Sequence, residues 1–157
     1  MKNKLLFTLS AIAFVLVVAS CSREKDDSAG VSDDALISMV HSSDLVTVEA
    51  NNSSARQQQN PTFRLRMNHI AATACNGSFH TLPAVFPANS ILVKEYLDPS
   101  GAVTASDVMY KAPVDSRSEG GWLWASYDAN GNNTYSSARR ANSCNSCHAE
   151  GTDKVLK

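Results

Sequence analysis

The sequence predicts an α+β domain, mainly an antiparallel β-sheet with short flanking helices and a C-terminal cofactor-attachment segment. Three observations carry that expectation. Segments in which apolar and polar residues alternate recur between Phe63 and Tyr127, which is the period of half-buried strands. The links between the later segments are turns by composition, too short for the crossovers that parallel strands require. Helical spacing is confined to brief stretches near Asp33, Ile70 and Ser136.

In chain order, Ser32 precedes Asp33-Asp34, and Ala35, Leu36, Met39 and Val40 follow at helical spacing. This predicts a short helix capped by Ser32. Asn51 to Asn60 is rich in Asn, Ser and Gln and reads as a loop. Phe63, Leu65 and Met67 alternate with Arg64, Arg66 and Asn68 as a strand, and the alanine-rich stretch from Ile70 to Cys75 predicts a helix after it. Pro83 and Pro87 bracket an irregular connection. Ser90 to Leu97 is the strongest strand pattern, with Ile91, Val93, Glu95 and Leu97 on one face and Leu92, Lys94 and Tyr96 on the other. Asp98-Pro99-Ser100-Gly101 predicts a turn, and Val108, Tyr110 and Ala112 a weaker strand ending at Pro113. Gly120-Gly121 opens an aromatic strand from Trp122 to Tyr127, closed by Asp128-Ala129-Asn130-Gly131. Ser136 to Asn142 predicts a short helix.

That helix leads into Cys144-Asn145-Ser146-Cys147-His148, a C-x-x-C-H pattern of the kind to which c-type haem is attached. The two thiols add across the haem vinyl groups, and the adjacent histidine is the proximal iron ligand. Zinc would need two more ligands at compatible spacing, and the chain has neither a second C-x-x-C nor an H-x3-H. One covalently attached haem c is therefore expected. Only Ala149 to Lys157 follow His148, and they contain neither Met nor His. A sixth protein ligand would come from upstream, from Met39, His41, Met67, His69, His80 or Met109; an iron held by His148 alone keeps an open face for a small molecule.

At the other end, Lys2 and Lys4 precede an apolar run from Leu5 to Val18 that closes in Ala19-Ser20, the pattern of an export signal. Val18-Ala19-Ser20-Cys21 resembles the lipobox of bacterial lipoproteins, whose signal is cut before a cysteine that then receives lipid. Residues 1–20 are expected to be a lipoprotein signal peptide, Cys21 the lipidated residue, 21–32 a polar tether and 33–157 a mono-haem domain. The expected location is periplasmic or cell-surface, on a bacterial membrane. Export agrees with the motif, because c-type haem is attached outside the cytoplasm. Cys75 is then the leftover cysteine, expected as a small buried hydrophobe. Lys+Arg total 14 against 15 Asp+Glu, a net charge of −1 with no basic cluster, which argues against a nucleic-acid partner.

From about Phe63 to Leu156 the chain resembles the cytochrome P-460 family. The matching pieces are Arg66-Met67-Asn68 before an alanine-containing helix, Phe86-Pro87-Ala88-Asn89-Ser90-Ile91-Leu92-Val93-Lys94-Glu95, Gly120-Gly121-Trp122-Leu123-Trp124, and Cys144 to His148. The resemblance implies a β-rich fold, a homodimer, and either hydroxylamine oxidation or nitric oxide binding. It also implies a role for Lys94, which falls where the P-460 enzymes carry a lysine bonded covalently to the porphyrin edge. Such a lysine must first lose its proton, which burial beside haem favours.

The expected function is that of an exported mono-haem cytochrome with an open iron face that oxidises hydroxylamine or nitric oxide, passing electrons to a redox partner protein. The alternatives are a nitric oxide binder without turnover and a periplasmic electron carrier. Oxidation needs a base beside the distal face, and Glu119, Glu95 and Asp115 are candidates by residue type alone. Arg64, Arg66, Arg139 and Arg140 are candidates to pair with haem propionates.

Overall fold

A computed structural model of the chain describes residues 30–50, 62–141 and 143–156. The expected signal peptide, the lipidation residue Cys21, most of the tether and the loop expected at 51–60 lie outside the described residues. Helix α1 is Asp33–Val40, and its cap is the expected one: Ser32 Oγ accepts from the Ala35 amide at 3.1 Å. The strands are β1 (Val46–Ala50), β2 (Phe63–Met67), β3 (Ile91–Leu97), β4 (Val103–Lys111), β5 (Trp122–Asp128) and β6 (Asn133–Tyr135). They form one sheet in the order β1-β2-β3-β4-β5-β6, each antiparallel to its neighbours. The predicted α+β antiparallel architecture is therefore the observed one. No helix among the described residues is long and apolar enough to cross a membrane.

Four elements differ from expectation. Strand β4 begins at Val103, well before the Val108 where alternation becomes visible. Its first half, Thr104-Ala105-Ser106-Asp107, carries no large apolar residue, yet it pairs with β3 on one side and β5 on the other. Its strand character thus comes from backbone hydrogen bonds supplied by both neighbours rather than from its own side chains. The edge strands β1 and β6 are short, and the Asn-Thr-Tyr of β6 shows no apolar alternation. The helix expected from Ser136 is a single 3-10 turn, Ser137–Arg139, ended by Arg140 and Ala141, which both adopt left-handed backbone conformations (φ 53° and 52°).

The sheet has two covered faces. Helix α1 packs with Val93, Val108, Leu123 and Tyr127 on one. Glu95 faces the same side, 3% exposed, bonded to Arg64 and, at 2.9 Å, to Arg66. Arg66 also reaches the Leu45 carbonyl at 3.3 Å, so this cluster ties the α1–β1 connection to the sheet. On the other face Met67, Leu92, Met109, Trp122 and Trp124 pack with the helix α2 (His69–Ala74) and the C-terminal segment. Asn68 joins that helix to the sheet, its Oδ1 accepting from both Ala71 and Ile91 amides at 3.1 Å. Cys75 is fully buried there, as a small hydrophobe, and burial raises its thiol pKa.

Candidate haem site

The C-x-x-C-H segment forms one helical turn, α3 (Asn145–His148), with Cys144 as its cap residue. Residues three and four apart on a helix share a face, so this spacing brings Cys144, Cys147 and His148 to the same side. The left-handed Arg140 and Ala141 turn the chain into α3, and the Ala141 carbonyl accepts from Cys144 and Asn145 at 2.9 and 2.8 Å. Cys144 is half-buried, and burial raises its thiol pKa; Cys147 is exposed.

All three residues line a cavity of about 1000 Å³ against the sheet face opposite α1. That is the upper end of the ~300–1,000 Å³ typical of cofactor sites. Its floor is apolar, from Leu65, Met67, Leu92, Met109 and Trp124. The His148 ring stands edge-on to Trp124 with centroids 4.6 Å apart, and its Nδ1 lies 2.7 Å from the Lys154 carbonyl. A carbonyl only accepts, so Nδ1 carries the proton and Nε2 the lone pair that a metal needs. The Trp124 indole N–H borders the same cavity, buried and without a hydrogen-bond partner among the described residues. An apolar slot, two thiols and a correctly protonated imidazole on one wall fit a haem.

The cavity also has polar lining. Lys94 and Tyr96 reach it from β3, with Phe63 from β2 and Asp107 and Ser126 from β4 and β5. Lys94 Nζ lies 4.6 Å from the Phe63 ring centroid and 5.0 Å from that of Tyr96. Burial pulls the Lys94 pKa below the ordinary lysine value, and the Asp107 charge partly opposes this. Asp107 is paired with Lys94 across β3 and β4. Its carboxylate accepts from Tyr96 Oη at 2.7 Å and from Ser126 Oγ at 2.6 Å. Burial and this bond raise the Tyr96 pKa, keeping the phenol protonated as a donor.

The structure sorts the residues singled out from sequence. Lys94, Cys144, Cys147 and His148 meet at one cavity, and of the six axial candidates Met67, Met109 and His80 border it. Met39 packs with the α1 core instead, and His41 and His69 are exposed. None of the three acids named by type reaches the cavity. Glu95 is held by arginines on the opposite face; Asp115 bonds Arg117 at 2.7 Å; Glu119 sits exposed in the turn before β5. Arg64 and Arg66 bond Glu95, Arg66 also bordering the large cavity, whereas Arg139 and Arg140 line a smaller hollow that shares Tyr135 and Ser143 with the large cavity. Two acids not singled out from sequence line the cavity, the exposed Glu150 and the hydrogen-bonded Asp107; the signal available for Asp107 was its position opposite Lys94 in a β3–β4 hairpin.

A sheet whose one face holds such a slot beside a C-x-x-C-H turn defines a haem protein. The family model for cytochrome P460 matches residues 44–155, and the chain belongs to that family: it is an iron-binding cytochrome with haem as cofactor. No curated protein matches the chain.

Proposed function

We propose that the chain carries one haem c, bonded through Cys144 and Cys147 and ligated by His148, and oxidises hydroxylamine or nitric oxide at the opposite iron face. The observation that carries this reading is the single cavity joining His148 and the two thiols to Lys94 and Asp107. When bound, the haem supplies the redox-active iron that accepts electrons from the nitrogen substrate. Asp107 is the proton acceptor in the cavity, oriented by Tyr96 and Ser126, which occupy one lone pair on each oxygen. Lys94, with its depressed pKa, is the residue able to present a neutral amine to a porphyrin edge, in keeping with the family resemblance. The apolar floor excludes water around the bound nitrogen species. Electrons leave to a redox partner protein.

The sequence pattern supports export and anchoring by lipid on Cys21, hence a periplasmic or cell-surface location, with the tether ending where the Val31 carbonyl accepts from Arg117 at 2.8 Å. Mass spectrometry of haem peptides from the exported protein tests the attachment. Haem on the Cys144–His148 peptide is expected, joined to the Lys94 peptide if the cross-link forms; haem on the C-terminal peptide alone overturns the cross-link. Turnover with hydroxylamine and an electron acceptor tests the activity. The second reading, nitric oxide capture without turnover, is favoured by the apolar floor, and rapid binding with no acceptor reduction would establish it. Failure of the reduced protein to bind carbon monoxide would instead indicate a sixth ligand and an electron carrier.

A further inference from the structure

We propose that the buried Lys111–Asp153 ion pair is a positioning device for the proximal histidine, fixing the carbonyl that orients His148 and thereby tuning the iron. The inference rests on the reading of His148 as the iron ligand.

The pair joins β4 to the C-terminal loop that follows His148. Lys111, at the end of β4, is 4% exposed. Its Nζ donates to Asp153 Oδ1 at 2.6 Å and to the Gly120 carbonyl at 3.3 Å, and stands 4.8 Å from the Trp122 ring centroid. Asp153 makes two further contacts with the body of the domain and has a constrained backbone. Its Oδ2 accepts from the Phe86 amide at 2.7 Å, its carbonyl accepts from Trp122 Nε1 at 2.8 Å, and its backbone is left-handed at φ 48°. The next residue is Lys154, also left-handed at φ 66°, and its carbonyl is the one that meets His148 Nδ1. Two consecutive non-glycine residues in that region are strained, so an outside restraint is needed to hold them.

The surrounding sequence is shaped to admit the clamp. A Cβ on Gly121 would lie 3.2 Å from Lys111 Nζ, and one on Gly120 3.0 Å from Lys154 Cε. The Gly120-Gly121 pair thus leaves room for both lysines. Strand β5 then holds the ligand at two places, the ring through Trp124 and the loop through Trp122. A buried ion pair adds little net stability over an apolar pair of similar volume. What it adds here is a fixed distance between β4 and the residue before the His148 acceptor.

Hydrogen bonding at the far ring nitrogen raises ligand basicity and favours the ferric state. Loosening the Lys154 carbonyl therefore raises the reduction potential. Reductive titration of purified haem-loaded wild type, K111M, D153N and K111R is the test, with haem-peptide mass spectrometry on each. K111M and D153N are expected to shift the ferric–ferrous equilibrium at least tenfold toward ferrous, ~59 mV for one electron, and K111R to stay near wild type. The double variant K111M/D153N removes both charges while the Asn oxygen can still accept from the Phe86 amide, which favours folding, and should show the same rise. Haem-loaded variants with lowered melting temperature but unchanged potential would overturn the positioning role alone. A wild-type protein with no haem on the His148 peptide would overturn the haem reading and this inference with it.

Discussion

Glu95 and Asp107 are two acids on opposite faces of one sheet, and isosteric substitution separates their roles. Glu95→Gln removes the charge that holds Arg64 and Arg66, whose side chains are 35% and 19% exposed. Breaking a buried pair costs about 3–5 kcal/mol. Arg64 can turn toward water and Arg66 keeps the Leu45 carbonyl, so the lower end, about 3 kcal/mol, is expected. At roughly 4 °C per kcal/mol for a domain of this size, the melting temperature falls by ~12 °C, while hydroxylamine turnover by the folded protein is retained. Asp107→Asn keeps one acceptor oxygen, for Tyr96, and turns the other into an NH2 toward which the Ser126 hydroxyl can rotate as acceptor, so stability changes by only about 1 kcal/mol. Its turnover falls by about 10²–10⁴, the usual contribution of a positioned base. The assay pairs thermal unfolding of both holoproteins with steady-state acceptor reduction well below either midpoint. An E95Q protein that is stable but inactive, or a D107N protein within a few-fold of wild-type turnover, would refute the assignment.

His148→Gly should retain haem on Cys144 and Cys147 yet lose the proximal ligand, and added imidazole should restore the wild-type absorption spectrum; an unchanged spectrum before imidazole counts against His148 as ligand. Gly151→Ala places a Cβ 2.5 Å from the Val155 carbonyl oxygen, so urea unfolding of the holoprotein should show a loss of about 1–3 kcal/mol, and an unmoved midpoint contradicts the tight turn after His148. Asp115, held below its ordinary value of 3.8 chiefly by its hydrogen bonds from Arg117, contributes stability that is complete above pH 3.8 and lost as pH falls through its lower folded-state value. In D115N the acid limb of a stability–pH curve should be shallower there, and an identical limb would show that the pair does not couple to folding.

The parts legible in the sequence are those whose physics is local. Ser32 caps α1 through a bond three residues away, and Cys144, Cys147 and His148 share a face because a helical turn repeats at that spacing. Strand alternation alone put Lys94 and Glu95 on opposite faces of β3, and the structure keeps them there. The choice of acid depended on partners distant in sequence. Asp107 reaches the cavity only through the β3–β4 register that sets it opposite Lys94, in a strand half too polar to announce itself. Lys111 and Asp153, separated by the whole of β5 and α3, meet only when the C-terminal loop folds back against the Gly120-Gly121 turn. The C-x-x-C-H turn, the antiparallel architecture and the face that Lys94 occupies could be read from residue order, because each follows from a short repeat of backbone geometry. Tertiary structure decided which acid stands in the cavity and what steadies the histidine, because buried charges are located by the partners that compensate them, and those partners are brought together only by the folded sheet.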